Sequence, residues 1–192
     1  MNKIDSIVKK IIAVSNKELD AINFNSLLSP KILTHDISYK FLDLPSGQAH
    51  YKLLSFISCL FNNCNIFDVG TNACRSAIAL STNKNNKIIS YDVEQILSIN
   101  PTSENIDFIL GDATEDIRLK SAPFIILDVN HDGLYENIFY KFLRSITWKG
   151  LLLLDDIHLN EPMKNFWSSI TEEKYDITNL GAWAGTGLVI FN

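Results

Sequence analysis

Residues 65–80 read NIFDVGTNACRSAIAL, and this stretch decides the fold. Ile66, Phe67 and Val69 make a short apolar run with one acid near its end, the composition of a strand buried on both faces. Gly70 then permits a tight strand-to-helix turn, and the small Ala73 and Cys74 allow close backbone approach. Four more short apolar runs follow at 87–91, 106–110, 124–127 and 151–154. Helical periods separate several of them. The clearest is 134–146, where Leu134, Ile138, Phe139, Phe142 and Ile146 are expected to share one stripe. Strands alternating with helices predict a doubly wound α/β sheet. At the carboxyl end, 174–179 and 188–191 flank a turn running from Gly181 to Gly187. They predict an antiparallel pair closing one edge of an otherwise parallel sheet.

Upstream, Ile4, Ile7, Val8, Ile11 and Ile12 recur at the spacing of one helix face. A second helix is expected from a cap at Ser46, with Leu53, Leu54, Ile57, Leu60 and Phe61 on its buried side. Ser29-Pro30 and Leu44-Pro45 read as turns. The 192 residues fit one domain, here divided into an N-terminal helical cap (1–45) and an α/β core (46–192).

Composition excludes several classes. The hydrophobic share of 46% and charged share of 20% are ordinary globular values. The longest apolar stretch, 53–61, is interrupted by Ser55 and Ser58 and is far short of the ~18–20 residues that cross a bilayer. The first twenty residues lack a signal-peptide core, so a cytoplasmic protein is expected. Cys59, Cys64 and Cys74 form no C-x-x-C pair and no zinc spacing, which suits buried thiols in a reducing compartment. The net charge of −5 argues against a duplex or a membrane surface as partner. That charge is uneven: residues 1–91 hold 10 basic and 6 acidic side chains, residues 92–192 hold 7 and 16.

The excess acid falls at strand ends. Asp68 closes the first run, Asp92 and Glu94 the second, Asp112 the third, Asp128 the fourth, and Asp155 with Asp156 the fifth. Ligands of open α/β sheets bind beyond the carboxyl ends of the strands, and carboxylates are costly to hold inside a sheet. The series therefore points to a nucleoside-type pocket. Asp92 lies 22 residues after Gly70, the separation expected of a carboxylate that accepts hydrogen bonds from ribose hydroxyls. Neither G-x-G-x-x-G nor a P-loop is present, which disfavours a dinucleotide oxidoreductase and a nucleotide triphosphatase.

These motifs, over roughly 46–192, resemble the class I S-adenosylmethionine (SAM)-dependent methyltransferases of the catechol O-methyltransferase-like and macrocin O-methyltransferase-like branch. The resemblance implies a Rossmann-like sheet, mostly parallel with an antiparallel last strand. It implies that Asp68, Gly70, Thr71, Asn72 and Ser76 receive the methionine end of SAM, that Asp92 binds ribose, and that Asp112 and Ala113 flank adenine. Many family members carry glycine where this chain has Asn72 and Cys74. FIILDVNHDGLYE (124–136) and KGLLLLDDIH (149–158) resemble the family's two metal-binding strands. Carried over, Asp128, Asp155 and Asp156 become ligands of Mg²⁺ or a similar hard cation, and Asp128 and His131 become catalytic, His131 as general base.

The expected activity is metal-assisted O-methylation of a small hydroxylated acceptor, a sugar or a polyphenol, with no nucleic acid or membrane partner. The N-terminal helices are expected to form a lid or a homodimer contact. The alternative is a degenerate SAM-binding protein serving as a non-catalytic partner or sensor, motivated by Asn72 and Cys74. Outside this set, His35 and His50 lie in the cap region, and His50 either faces the cofactor or is an ordinary satisfied histidine. His158 reads as a solvated loop residue or a partner of the neighbouring acids, and Trp183 as an aromatic that packs beside the closing hairpin or lines the substrate mouth.

Overall fold

The computed structural model describes residues 3–28, 42, 48–94 and 104–192. Seven strands form one sheet in the order β3-β2-β1-β4-β5-β7-β6. They are β1 (Asn65–Val69), β2 (Lys87–Asp92), β3 (Ile106–Leu110), β4 (Phe124–Leu127), β5 (Gly150–Asp155), β6 (Glu173–Asp176) and β7 (Thr186–Phe191). Strands β1 to β5 pair in parallel. Strand β7 runs antiparallel to both β5 and β6, so the closing hairpin inserts its second strand beside β5 and leaves β6 at the edge.

Period-two alternation sorts the strand side chains onto two faces. Ile66, Ile88, Phe124, Ile126, Leu151, Leu153, Leu188 and Ile190 join one buried cluster. Phe67, Val69, Ile89, Ile125, Leu127, Leu152, Leu154 and Val189 join the other. Helices α1 (Lys3–Ala13), α2 (Asn16–Asp20), α3 (Phe24–Leu27), α4 (Gln48–Leu60) and α5 (Arg75–Leu80) contribute to the first cluster. Helices α6 (Leu134–Ser145) and α7 (Glu161–Ser169) cover the second. Both faces of the sheet are thus sheathed, which is why its central strands are apolar throughout.

The N-terminal helices belong to this core. Ile7, Val8 and Ile11 of α1 are buried with Leu19, Phe24, Leu53, Leu54 and Ile57, while Ile12 turns outward. In α4 the serines that interrupt the apolar stretch are buried and bonded. Ser58 donates to the Leu80 carbonyl at 2.7 Å, and Ser55 meets the Thr82 hydroxyl at 2.8 Å. These bonds satisfy the hydroxyls against α5 and the turn after it. Among the described residues no helix is long and apolar enough to cross a membrane. The cap expected at Ser46, the turns at Ser29-Pro30 and Leu44-Pro45, and His35 lie outside the described residues.

Three expectations are corrected. Helix α6 buries Glu136, Phe139, Tyr140 and Leu143, whereas Leu134 and Ile138 are 65% and 53% exposed. The helix is rotated from the expected stripe because Glu136 points inward, where its Oε1 accepts the His131 N–H at 2.7 Å. Of the three thiols only Cys74 is buried; Cys64 is half-buried and Cys59 exposed. Trp183 does not pack, being 79% exposed.

Gly70 is the tightest point of the fold. Its φ is +104°, and an added Cβ would lie 1.6 Å from the Asp128 carbonyl oxygen. The turn after β1 is thereby pressed against the end of β4, whose Asp128 N–H donates to the Val69 carbonyl at 2.9 Å. Gly70→Ala should therefore lower stability by about 3 kcal/mol or more, through backbone displacement plus the positive-φ penalty. Urea unfolding followed by circular dichroism checks this, and a change within about 0.5 kcal/mol, typical of an unstrained surface site, would contradict it.

Candidate active site

The carboxyl ends of β1, β2, β3 and β4 open onto a cleft of about 260 Å³, near the lower end of the ~300–1,000 Å³ usual for ligand pockets. Gly70, Asn72, Asp92, Ala113, Asp128 and His131 line it, together with Val69, Tyr91, Val129 and Tyr135. Six of the residues expected from sequence thus share one wall. Gly70 and Thr71 both donate their N–H to the Tyr91 carbonyl, at 2.8 and 3.0 Å, which fixes the turn to the end of β2. Tyr91 in turn stacks on Phe67 at 6.1 Å and donates its hydroxyl to Asp116 at 2.9 Å.

Asp92 is held from two sides. Its Oδ2 accepts the Asn72 N–H at 2.9 Å and its Oδ1 the Glu94 N–H at 3.1 Å. A carboxylate offers about four acceptor sites, so lone pairs remain for a ligand's hydroxyls. Asn72 and Cys74 both adopt positive φ, 38° and 62°. This is the backbone region that favours glycine. Here asparagine tolerates it and the cysteine side chain is buried.

Asp68, Thr71, Ser76 and Asp112 stand behind or beside the cleft wall. Asp68 is fully buried. Its Oδ2 accepts from the Ser90 hydroxyl at 2.6 Å, and Ser90 also meets the Thr71 hydroxyl at 2.7 Å. Burial pushes the Asp68 carboxyl up to about 7, against the pull of the Ser90 and Ser76 hydroxyls. Asp112 Oδ1 accepts from the N–H and the hydroxyl of Thr114, at 2.9 and 2.8 Å, and so caps the short turn at Ala113–Glu115.

Next to the cleft, two histidines interleave with three aspartates. His131 Nε2 lies 3.3 Å from Asp128 Oδ1 and 3.8 Å from Asp156 Oδ2. His50 Nδ1, from α4, lies 3.5 Å from Asp155 Oδ1. One donor atom each from His50, Asp128 and Asp155 falls within 4.8 Å of the others. Burial pushes Asp155 and Asp156 upward, and neighbouring Asp128 adds to the rise. His131 is raised to about 9, first by its hydrogen bond to Asp128. With these carboxylates otherwise uncompensated, the imidazolium form of His131 is favoured.

The backbone of His131 is clamped at φ 55°. Glu136 accepts its N–H, and Asn160 Nδ2 donates to its carbonyl at 2.7 Å. Asn160 Oδ1 at the same time caps α7 by accepting the Met163 N–H at 2.9 Å. Sequence reasoning missed Glu136 and Asn160 as supports and left His50 undecided. His158 pairs with Asp176 at 2.7 Å on the surface.

No protein-family model matches this sequence, and no curated protein is similar to it. Solved structures are similar in fold. A Staphylococcus aureus protein assigned as a caffeoyl-CoA O-methyltransferase superposes with a TM-score of 0.61 at 13% identity, over 100% of this chain and 99% of that one. A Streptomyces achromogenes O-methyltransferase involved in tomaymycin synthesis, in complex with SAM, gives 0.59 at 14% identity, over 88% and 94%. A Podospora anserina methyltransferase bound to S-adenosylhomocysteine gives 0.56 at 12% identity, over 86% and 89%. The chain has the fold of these methyltransferases across nearly its whole length.

The buried Asp68 makes stability depend on pH. Its folded-state value of about 7 lies above the ordinary 3.8. Its contribution to stability is thus fully present below about pH 4 and is lost as pH rises through 7. Asp68→Asn removes this dependence. Relative to wild type, the variant's urea midpoint should be higher at pH 8 than at pH 4, a difference worth up to about 4 kcal/mol. A gap that stays constant between the two pH values would contradict the account.

Proposed function

We propose that this protein is a SAM-dependent O-methyltransferase, assisted by a divalent cation, acting on a small hydroxylated acceptor of the sugar or polyphenol type. The observation that carries the reading is the cleft itself. A tight turn after β1, the ribose-competent Asp92 at the end of β2 and Asp128 with His131 after β4 line it, and Asp128 also belongs to the aspartate-histidine cluster at the ends of β4 and β5. Two proteins of the same fold bind SAM or S-adenosylhomocysteine, which supports the choice of cofactor. The three free thiols suit a cytoplasmic setting.

In this reading Asp92 accepts hydrogen bonds from the ribose hydroxyls, while the Gly70–Thr71 turn borders the methionine end. Methyl transfer is an in-line displacement: the acceptor oxygen forms a bond to the methyl carbon as the carbon–sulfur bond breaks, leaving a neutral thioether. The protein's part is chiefly proximity and orientation. Carboxylate oxygens at the ends of β4 and β5, those of Asp128 and Asp155 among them, would hold a divalent cation, and such an ion would lower the pKa of an acceptor hydroxyl. The buried, unpartnered Oδ1 of Asp155 fits such a group. His131 Nε2, beside Asp128, is the group placed to take the acceptor's proton, and a cation held by Asp128 would weaken the hydrogen bond that raises it.

Calorimetric titration with S-adenosylhomocysteine tests the reading. Wild type should bind one equivalent, and Asp92→Ala should weaken binding about tenfold or more, the worth of hydrogen bonds to a charged group. Methyl transfer to hydroxylated acceptors should fall on chelation and return with added metal. Absence of binding heat, with and without divalent metal, would overturn the proposal. Binding without transfer across a broad acceptor panel would assign the chain to a non-catalytic, cofactor-binding role.

A further inference from the structure

His50 comes from a helix that precedes the whole sheet, yet its ring ends among the carboxylates of β4 and β5. It is 5% exposed, and neither ring nitrogen has a hydrogen-bond partner. The facing Asp155 Oδ1 is buried and equally unpartnered. The 3.5 Å between Nδ1 and this oxygen is an ion-pair distance, well beyond the ~2.7–2.9 Å of a charge-assisted hydrogen bond. A buried polar atom without a hydrogen bond costs about 1–3 kcal/mol, so an imidazole nitrogen and a carboxylate oxygen that face each other without one mark a place for a further group. Asp128 offers the third donor atom within 4.8 Å. Asp156 does not join this trio, because its Oδ2 turns toward His131.

We infer that the cation site of this protein is His50–Asp128–Asp155, with an imidazole nitrogen as third ligand and Asp156 as a partner of His131. The inference rests on reading the cluster as a cation site, and it changes which ion belongs there. Three carboxylates suit Mg²⁺, a hard ion that prefers oxygen. Two carboxylates and a neutral imidazole suit first-row transition ions such as Co²⁺, Fe²⁺ or Zn²⁺. The mixed set also carries one negative charge fewer, so a bound divalent ion leaves the ligand shell neutral. It ties helix α4 to the ends of β4 and β5 through the metal.

The test uses the full chain freed of metal, titrated calorimetrically with Co²⁺ and with Mg²⁺, and then with S-adenosylhomocysteine. Wild type should favour Co²⁺, and His50→Asp, which restores a third carboxylate, should lower the Co²⁺-to-Mg²⁺ affinity ratio about tenfold or more. Loss of a true ligand should exceed the ~10–100-fold effect of removing a residue that merely supports one. His50→Ala should thus cost Co²⁺ affinity heavily, and Asp156→Ala should cost far less. Should the His50 variants fail to fold, proton NMR of Co²⁺-loaded wild type still reads the site. A strongly shifted, solvent-exchangeable imidazole N–H signal that persists in His131→Ala is expected.

An unchanged ratio in His50→Asp, absence of that N–H signal, or loss of metal binding in Asp156→Ala alone would overturn the inference. Absence of Co²⁺ binding at millimolar concentration would overturn it too. If S-adenosylhomocysteine still binds in that case, the cofactor reading stands on its own. Conversely, normal Co²⁺ binding without S-adenosylhomocysteine heat would sink the cofactor reading alone.

Discussion

The structure depends on holding many carboxylates at one edge of a parallel sheet. Asp68, Asp92, Asp128, Asp155 and Asp156 all sit where β1, β2, β4 and β5 end, close enough that the charge of Asp128 adds to the upward shifts of Asp68, Asp155 and Asp156. Each is held by a different device. Asp68 is buried against Ser90, Asp92 is pinned by two backbone N–H groups, Asp128 and Asp156 share His131, and Asp155 faces His50. Burial is the largest cause of the upward shifts at Asp68, Asp155 and Asp156. The site therefore holds an excess of negative charge in a poorly solvated place, and that favours cationic partners.

Mechanical coupling follows from the same crowding. Because Gly70 presses on the Asp128 carbonyl, the turn bordering the cleft and the acid that begins the cluster form one rigid unit. His131 is fixed as tightly, with Glu136 on its N–H and Asn160 on its carbonyl. The cleft and the cluster are thus held by strand ends and helix caps, which preserve geometry better than a long loop does.

Much of this was legible in the chain. The alternation of apolar runs with helical periods carried the sheet, because strands sheathed on both faces cannot be written any other way. The acids at the run ends carried the position of the site, since a carboxylate at the end of an apolar strand has few structural uses. What the sequence did not disclose was tertiary. The rotation of α6 depends on Glu136 reaching His131, a contact no periodicity encodes. Trp183 lies in the turn before β7, and its exposure there has no counterpart in the apolar pattern. His50 lies 78 residues before Asp128, and only the packing of α4 on the sheet brings it to the cluster. The left-handed turns at Asn72 and Cys74 were visible only as departures from glycine, and the backbone angles explain them.

The central claim is that the cleft at the carboxyl edge is a cofactor site organised by these acids. The most direct measurement is a crystal structure of the protein with S-adenosylhomocysteine. The account predicts ribose hydroxyls within hydrogen-bond distance of Asp92, the methionine portion beside the Gly70–Thr71 turn, and the sulfur facing the Asp128–His131 side. S-adenosylhomocysteine bound elsewhere, or a cleft left without it at saturating concentration, would contradict the account.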